Sequence, residues 1–448
     1  MSQYLQIKYI SQQEAQIARS GLPHFSWLLI ISLVFTLVGC SNSSRSQRAD
    51  AELNGALLVW HNWPEPESQL IEHFLDEFMK IHPRVNIASE FVSGEELNEL
   101  YAQQMASGLG PDLLIGPELS IVYDLVRQDL LLDLSTTDFA TTTLQLQAIK
   151  ALTLDDHLYG IPFAAYTNVL YYDRKIVDEP AFAMTDLLTA AENDLKVAIP
   201  TDFYYAYWGI RNFGGQLVDT NGNVLADDGF VKWLEWLSLA QKEGLYLSSN
   251  YGELLRFFAE GNAAYFIGDS SELPYLQEVL GEDRVGVARL PYRGEDNEEE
   301  GDEEGDNEVS DAEALLAQRF SSGSFLELEV MAISQMSAQK ELSLKVIEFF
   351  VNQTHQREIA EANLGQIPLH RSVRIDERFS PIESVLIDQS RSAIILPLEM
   401  IPIAKILRVI GNDTYHQVLE GVLPPSEAVE QLRQEIQNQL QTNTAEGG

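Results

Sequence analysis

Three short runs in this sequence set aromatic, amide and carboxylate side chains next to one another: His61-Asn62-Trp63, Glu90-Phe91 and Gly116-Pro117-Glu118. Carboxylates and amides exchange hydrogen bonds with a polar solute, while an aromatic face covers its apolar side. That is the chemistry of holding a small molecule, and it needs only a few polar groups converging in an apolar cleft. The rival chemistry is hydrolysis of a glycosidic bond, which needs two carboxylates about 5–9.5 Å apart. Glu65, Glu118 and Asp202 are available for it, but nothing in the sequence singles out a pair. Nucleotide and zinc chemistry lack their motifs. The chain has no Gly-x-x-x-x-Gly-Lys-Ser/Thr and no His-Glu-x-x-His, and its eight histidines show no zinc spacing. No cofactor and no metal are expected.

The elements that carry these runs read as alternating strands and helices. Leu57-Leu58-Val59-Trp60 is a short apolar strand. Leu70, Ile71, Phe74, Leu75, Phe78 and Met79 then recur at helical spacing, and Pro83 ends that helix. Val85–Ala88 is a second strand, Leu97, Leu100, Tyr101 and Met105 mark a second helix, and Leu113-Leu114-Ile115 is a third strand after Gly108, Gly110 and Pro111. This order implies a parallel sheet with right-handed crossovers. Ligands of open α/β sheets bind at the carboxyl ends of the strands, which is where the three runs fall.

A second unit follows Tyr159-Gly160-Ile161-Pro162. It contains Tyr171-Tyr172-Asp173, a strand at Val197-Ala198-Ile199, a helix from about Phe230 to Glu243, and a strand at Ala264–Ile267 ending in Gly268-Asp269. Trp233 and Trp236, three apart on that helix, are expected to pack, and Trp60 to be buried. Residues 294–313 differ in kind, with twelve acidic residues and one large apolar residue, Val309. Such a segment cannot bury a core and is expected to be disordered. Asp296, Glu298, Glu300 and Gly301 partly fit a calcium loop, but its twelfth position falls on Asn307 instead of glutamate. Helical patterns return at Leu342–Phe350 and Val429–Leu440.

The formal charge is −39, which makes nucleic acid and anionic membrane surfaces poor partners. With 45% hydrophobic residues the chain can still bury a substantial core. Its one cysteine, Cys40, excludes an internal disulfide. Residues Trp27 to Gly39 are uncharged, and Lys8 and Arg19 lie upstream, as in a secretory signal. The run is too short for a comfortable membrane span of about 20 residues. Leu37-Val38-Gly39-Cys40 resembles the bacterial lipobox, which implies removal of residues 1–39, lipidation of Cys40 and a flexible tether over 40–52.

Four further segments share one resemblance. Gly108-Leu109-Gly110-Pro111-Asp112-Leu113-Leu114, Tyr159-Gly160-Ile161-Pro162 with Leu170-Tyr171-Tyr172-Asp173, Phe258-Ala259-Glu260-Gly261-Asn262-Ala263-Ala264, and Gly421-Val422-Leu423-Pro424 before Ala428 occur in order and at family spacing. Together they resemble the family-1 extracellular solute-binding proteins, the class of maltose-binding protein. The resemblance implies an α/β, two-lobed periplasmic-binding-protein-like fold of type II, each lobe an open, mostly parallel sheet flanked by helices and joined by a hinge. It divides the chain into lobe 1 (53–164 plus 320–353), lobe 2 (165–290 plus 354–445) and an acidic loop (291–319). The implied function is binding a carbohydrate in the cleft, without chemical change, and delivering it to the permease subunits of an ABC importer. A sensor that presents its closed form to a receptor is a related alternative.

The same resemblance places Trp63, Glu65, Glu118, Tyr166, Asp202, Tyr204 and Asp269 at the ligand. Two departures from the sugar-binding pattern stand out: Ser270 where relatives have an aromatic, and Gly116-Pro117 where they have a bulky one. Asn62-Trp63-Pro64-Glu65 is also similar to polyamine-binding relatives, whose aromatics and carboxylates hold cations. A cationic solute is therefore the second reading, and a secreted glycoside hydrolase the third.

Overall fold

The computed structural model describes residues 53–216, 227–294 and 322–446, with side chains in the last helix through residue 439. The leader, Cys40, the tether and nearly all of the acidic loop lie outside them.

Strands β1 (Gly55–His61), β2 (Val85–Phe91) and β3 (Leu113–Ile115) pair in parallel, with helices Glu67–Ile81 and Gly94–Ser107 between them. The first helix buries Ile71, Phe74, Leu75 and Phe78, the face its spacing marked. Each of these large side chains contributes about 1.5–3 kcal/mol on burial. The second helix ends at Gly108, whose φ of 73° is a left-handed cap that glycine adopts without strain. A small hairpin, β4 (Thr153–Leu154) and β5 (His157–Leu158), precedes β6 (Ile161–Asp173).

Strand β6 is 13 residues long and joins two half-sheets. Its first half, through Thr167, pairs with β11 (Leu326–Ile333) and β12 (Ile367–Pro368). Its second half, from Asn168, pairs with β9 (Tyr265–Asp269) and β10 (Val285–Ala288). Strands β7 (Val197–Pro200) and β8 (Tyr246–Ser248) complete the order β2-β1-β3-β11-β6-β9-β7-β8. The sequence marks only pieces of β6, because Gly160 and Pro162 read as a break. The strand absorbs Pro162, which has no N–H to give a ladder, where the register with β11 shifts at Glu329/Val330.

Packing follows the two half-sheets. One core holds Leu57, Val59, Phe74, Phe163 and Phe350; another holds Trp208, Trp233, Phe230 and Tyr415. Trp60 and Trp233 are buried as expected, and Trp233 stacks on Trp236 with ring centroids 5.2 Å apart. Helix Gln353–Glu361 packs with the first core through Ile359. Helix Ile401–Leu419 has no counterpart in the sequence reading. It buries Leu407, Gly411, Thr414, Tyr415 and Val418 at helical spacing against the second core.

Candidate functional site

A cavity of about 220 Å³ opens where the carboxyl ends of β3, β7 and β9 meet the middle of β6 and the start of β11. Its size falls below the roughly 300–1,000 Å³ of sites that take drug-sized ligands, so as it stands it suits a small solute. Each contributing residue is placed by a local feature. Glu118 precedes helix Leu119–Val126 just after β3. Tyr166 and Glu327 are register partners across β6 and β11 and share a face. Phe203, Tyr204 and Tyr205 open helix Phe203–Asn212 after β7. Asp269 ends β9, where its carboxylate accepts the Ser271 N–H at 2.9 Å. Lys405 and Arg408 come from helix Ile401–Leu419.

The aromatic wall is built in layers. Tyr204 stacks on Phe325 at 5.3 Å and 20°, and the Arg408 guanidinium lies 5.6 Å from the Tyr204 ring centroid. Tyr205 stacks on Tyr251 at 4.1 Å and 12°, and the Tyr251 hydroxyl accepts the Asp269 N–H at 2.9 Å. Tyr166 and Tyr204 are only partly buried, so each keeps some surface open.

The carboxylates carry the electrostatics. Burial pushes Asp269 up to about 7, against the Ser271 N–H that favours its charged form. Burial also raises Glu327 to about 7, helped by the neighbouring Glu118 charge and opposed by the Tyr204 hydroxyl and Arg408. Glu118 keeps an exposed side chain yet is crowded by protein, which raises its carboxyl while Arg408 pulls it down. Because water reaches Glu118, Asp269 and Glu327 are the more strongly perturbed pair. Glu329, two residues along β11 from Glu327, is held well above the carboxylate range by burial.

Of the residues expected at the ligand, Glu118, Tyr166, Tyr204 and Asp269 line this cavity; Trp63, Glu65 and Asp202 do not. Trp63 is 3% exposed and packs on Phe163 at 5.1 Å in the first core. Its indole Nε1 lies beside Glu329 without closing a hydrogen bond: neither it nor Glu329 Oε2 has a partner in bonding geometry. Glu65 is exposed and accepts from Gln69 Nε2 at 2.7 Å. Asp202 caps helix Phe203–Asn212 by accepting the Tyr204 N–H at 3.0 Å, and accepts Asn412 Nδ2 at 2.8 Å. Sequence reasoning missed Tyr205, Phe325, Glu327, Lys405 and Arg408. Only Tyr205 carried a signal, since it belongs to the aromatic run Phe203-Tyr204-Tyr205-Ala206-Tyr207-Trp208 that follows the Val197-Ala198-Ile199 strand in the sequence.

A second depression, along Ser426, Glu427, Glu430, Gln431 and Gln434, is the flank of a single helix, so nothing converges there. His73, Glu77 and Glu358 bring their ligand atoms within 4.8 Å of one another and could hold a metal ion, but none of them lines the cavity.

Two half-sheets that share strand β6, with an aromatic and acidic cavity at the carboxyl ends of their strands, define a two-lobed binding-protein fold of type II. Solved structures agree. The maltose-binding periplasmic protein MalE of Listeria monocytogenes, in complex with maltose, superposes with a TM-score of 0.71 over 86% of this chain and 98% of its own, at 17% identity. Residues 70–380 match the model of the bacterial extracellular solute-binding proteins, and the chain belongs to that family. Its members bind solutes outside the cytoplasm and are not enzymes, which removes the glycoside hydrolase reading. A maltotriose-binding protein of Pyrococcus abyssi is 27% identical over 255 residues, 53% of this chain and 54% of that protein, so the match spans about half of that relative. A galactooligosaccharide-binding protein of Bacillus subtilis is 22% identical over 437 residues, 92% of this chain and 96% of its own. Among the described residues no helix is long and apolar enough to cross a membrane.

Proposed function

We propose that this chain is the extracytoplasmic substrate-binding lipoprotein of an ABC importer, tethered through lipid on Cys40, and that it delivers a carbohydrate to the membrane permease. The observation that supports it most is the convergence of Tyr166, Tyr204, Glu118 and Asp269, from both halves of the sheet, on one cavity. Aromatic faces take the C–H side of a sugar ring, and the carboxylates accept from its hydroxyls. Relatives named for maltotriose and for galactooligosaccharides support the sugar class. The two lobes meet near the Thr167–Asn168 step of β6; lobe 1 holds 53–164 and the 320–353 segment, lobe 2 holds 165–290 and most of the chain after helix Gln353–Glu361. Ligand touches both lobes and favours the closed arrangement by its differential affinity.

The test is isothermal titration of the chain lacking residues 1–39 with malto- and galacto-oligosaccharides, alongside small-angle scattering. Binding with a reduced radius of gyration is expected. Tyr204→Ala, which removes the ring stacked on Phe325, should weaken the best ligand at least about tenfold, the size of a lost aromatic contact plus its buried area. No binding by any sugar of either series, or full affinity in the Tyr204→Ala variant, would refute the assignment.

A further inference from the structure

The cavity gathers carboxyl groups that no cation pairs with in the described residues. Glu118, Asp269 and Glu327 line it, and none of the three has an ion-pair partner among the described residues. Its two cations are shared with acids outside it, although Arg408 also acts on Glu118 and Glu327. Lys405 Nζ sits 3.0 Å from both carboxylate oxygens of Asp124. Arg408 Nε is 3.7 Å from Asp202 Oδ1, with its guanidinium over the Tyr204 ring. Behind the three carboxylates stands Glu329, 7% exposed, on the same face of β11 as Glu327 and with Oε2 unpartnered. Glu272, next to Asp269 and likewise pushed up to about 7 by burial, adds a further acid on that side.

Buried carboxylates without a counter-charge are costly, and a cation supplied from outside relieves them. Ionised carboxylates are also acceptors only, so their complement is a ligand rich in donors. The walls suit the same charge: Tyr166, Tyr204 and Tyr205 line the cavity with the acids, and an aromatic ring attracts an ammonium. A neutral sugar hydroxyl brings one donor to such a site, whereas an ammonium brings three and a full charge.

We propose that the carbohydrate taken by this cavity carries a protonated amine in place of a hydroxyl, with the ammonium seated among Glu118, Asp269 and Glu327 against Tyr166 and Tyr204. The inference rests on the carbohydrate reading above and narrows it to amino sugars. A linear polyamine fits less well. Lys405 and Arg408 stand on the helix that forms one wall, where they repel a second or third ammonium but can donate to hydroxyls.

Matched pairs that differ only by ammonium for hydroxyl decide the matter: glucosamine with glucose, galactosamine with galactose, and the β-1,4-linked glucosamine dimer with cellobiose. Each is titrated calorimetrically into the chain lacking residues 1–39 at pH 7 and low salt, with spermidine as a separate arm. At least one amine should bind about tenfold or more tightly than its hydroxyl partner, in line with a desolvated charge pair. Its N-acetyl form should lose that advantage. Glu327→Gln and Asp269→Asn, checked for folding by circular dichroism, should each reduce the amine-over-hydroxyl ratio to below about threefold; the ratio is unaffected by a general loss of affinity. If neutral sugars bind and no amine exceeds its partner, the inference is overturned and the carbohydrate reading survives. If spermidine binds and no sugar does, both are overturned.

Discussion

Asp202 was expected at the ligand, and the structure gives it a different task that a substitution can isolate. Its carboxylate is 14% exposed, caps helix Phe203–Asn212 through the Tyr204 N–H, and ties that helix to Ile401–Leu419 through Asn412 Nδ2. Asp202→Ala removes the cap, worth about 1 kcal/mol, and a partly buried charged hydrogen bond, worth about 1.5–3 kcal/mol. Asn412 Oδ1 still accepts the Phe203 N–H at 2.6 Å, so the two helices keep one link and the fold should survive. The expected loss is about 2–4 kcal/mol. For a cooperative unit of lobe size this corresponds to roughly 5–15 °C in melting temperature. Asp202→Asn keeps an oxygen for the Tyr204 N–H but turns an NH2 toward Asn412 Nδ2, so it should retain only the cap and lose about 1 kcal/mol less than alanine. Calorimetric melts of the three proteins without ligand give the answer. An unchanged melting temperature in the alanine variant, or equal losses in alanine and asparagine variants, would refute the capping argument.

Asp269 and Glu327 titrate near 7 in the folded state, above the ordinary carboxylate range, so the folded chain binds more protons than the unfolded chain between about pH 4 and 7. Their contribution to stability is therefore greatest below the unfolded values and is lost as pH rises through 7. Urea titrations of the ligand-free protein at pH 5 and pH 8 should show a smaller pH 5 advantage in Asp269→Asn than in the wild type; an unchanged difference would contradict the assignment. Gly116 has a φ of 98°, and a Cβ there would lie 2.1 Å from Asn62 Oδ1. Gly116→Ala should destabilise by more than about 1 kcal/mol in the same assay, and a neutral result would show that the turn relaxes freely.

The parts of the site that follow a strand were legible in the sequence. Leu113–Ile115 and Tyr265–Asp269 are short apolar runs, and the acids that come after or end them, Glu118 and Asp269, fall at the strand ends that bind ligands. What was not legible depends on where distant surfaces dock. The spacing of Leu407, Gly411, Thr414, Tyr415 and Val418 specifies a helix and a buried face, but not that its other residues, Lys405 and Arg408, would form a wall beside Tyr204. Glu327 and Glu329 alternate with Leu326, Leu328 and Val330, the pattern of a strand with one face in water. Here that face closes against Tyr166 and Tyr204, so Glu329 is buried and Glu327 half-buried. Trp63 fails in the opposite sense: its place after β1 suggests the cleft, yet contact with Phe163 draws it into the core.

The shared strand β6 has a mechanical corollary. Its change of partners falls at Thr167 and Asn168, and both side chains are pinned there: Thr167 Oγ1 donates to Phe325 O at 2.6 Å, and Asn168 Nδ2 donates to Ser324 Oγ at 2.9 Å. Two stretches of backbone that run between the half-sheets, β6 and the entry to β11, are thus bolted side by side. Any rocking of one half against the other turns about that bolt, and Tyr166 is its immediate neighbour. A solute held against Tyr166, as proposed, would sit next to that fulcrum.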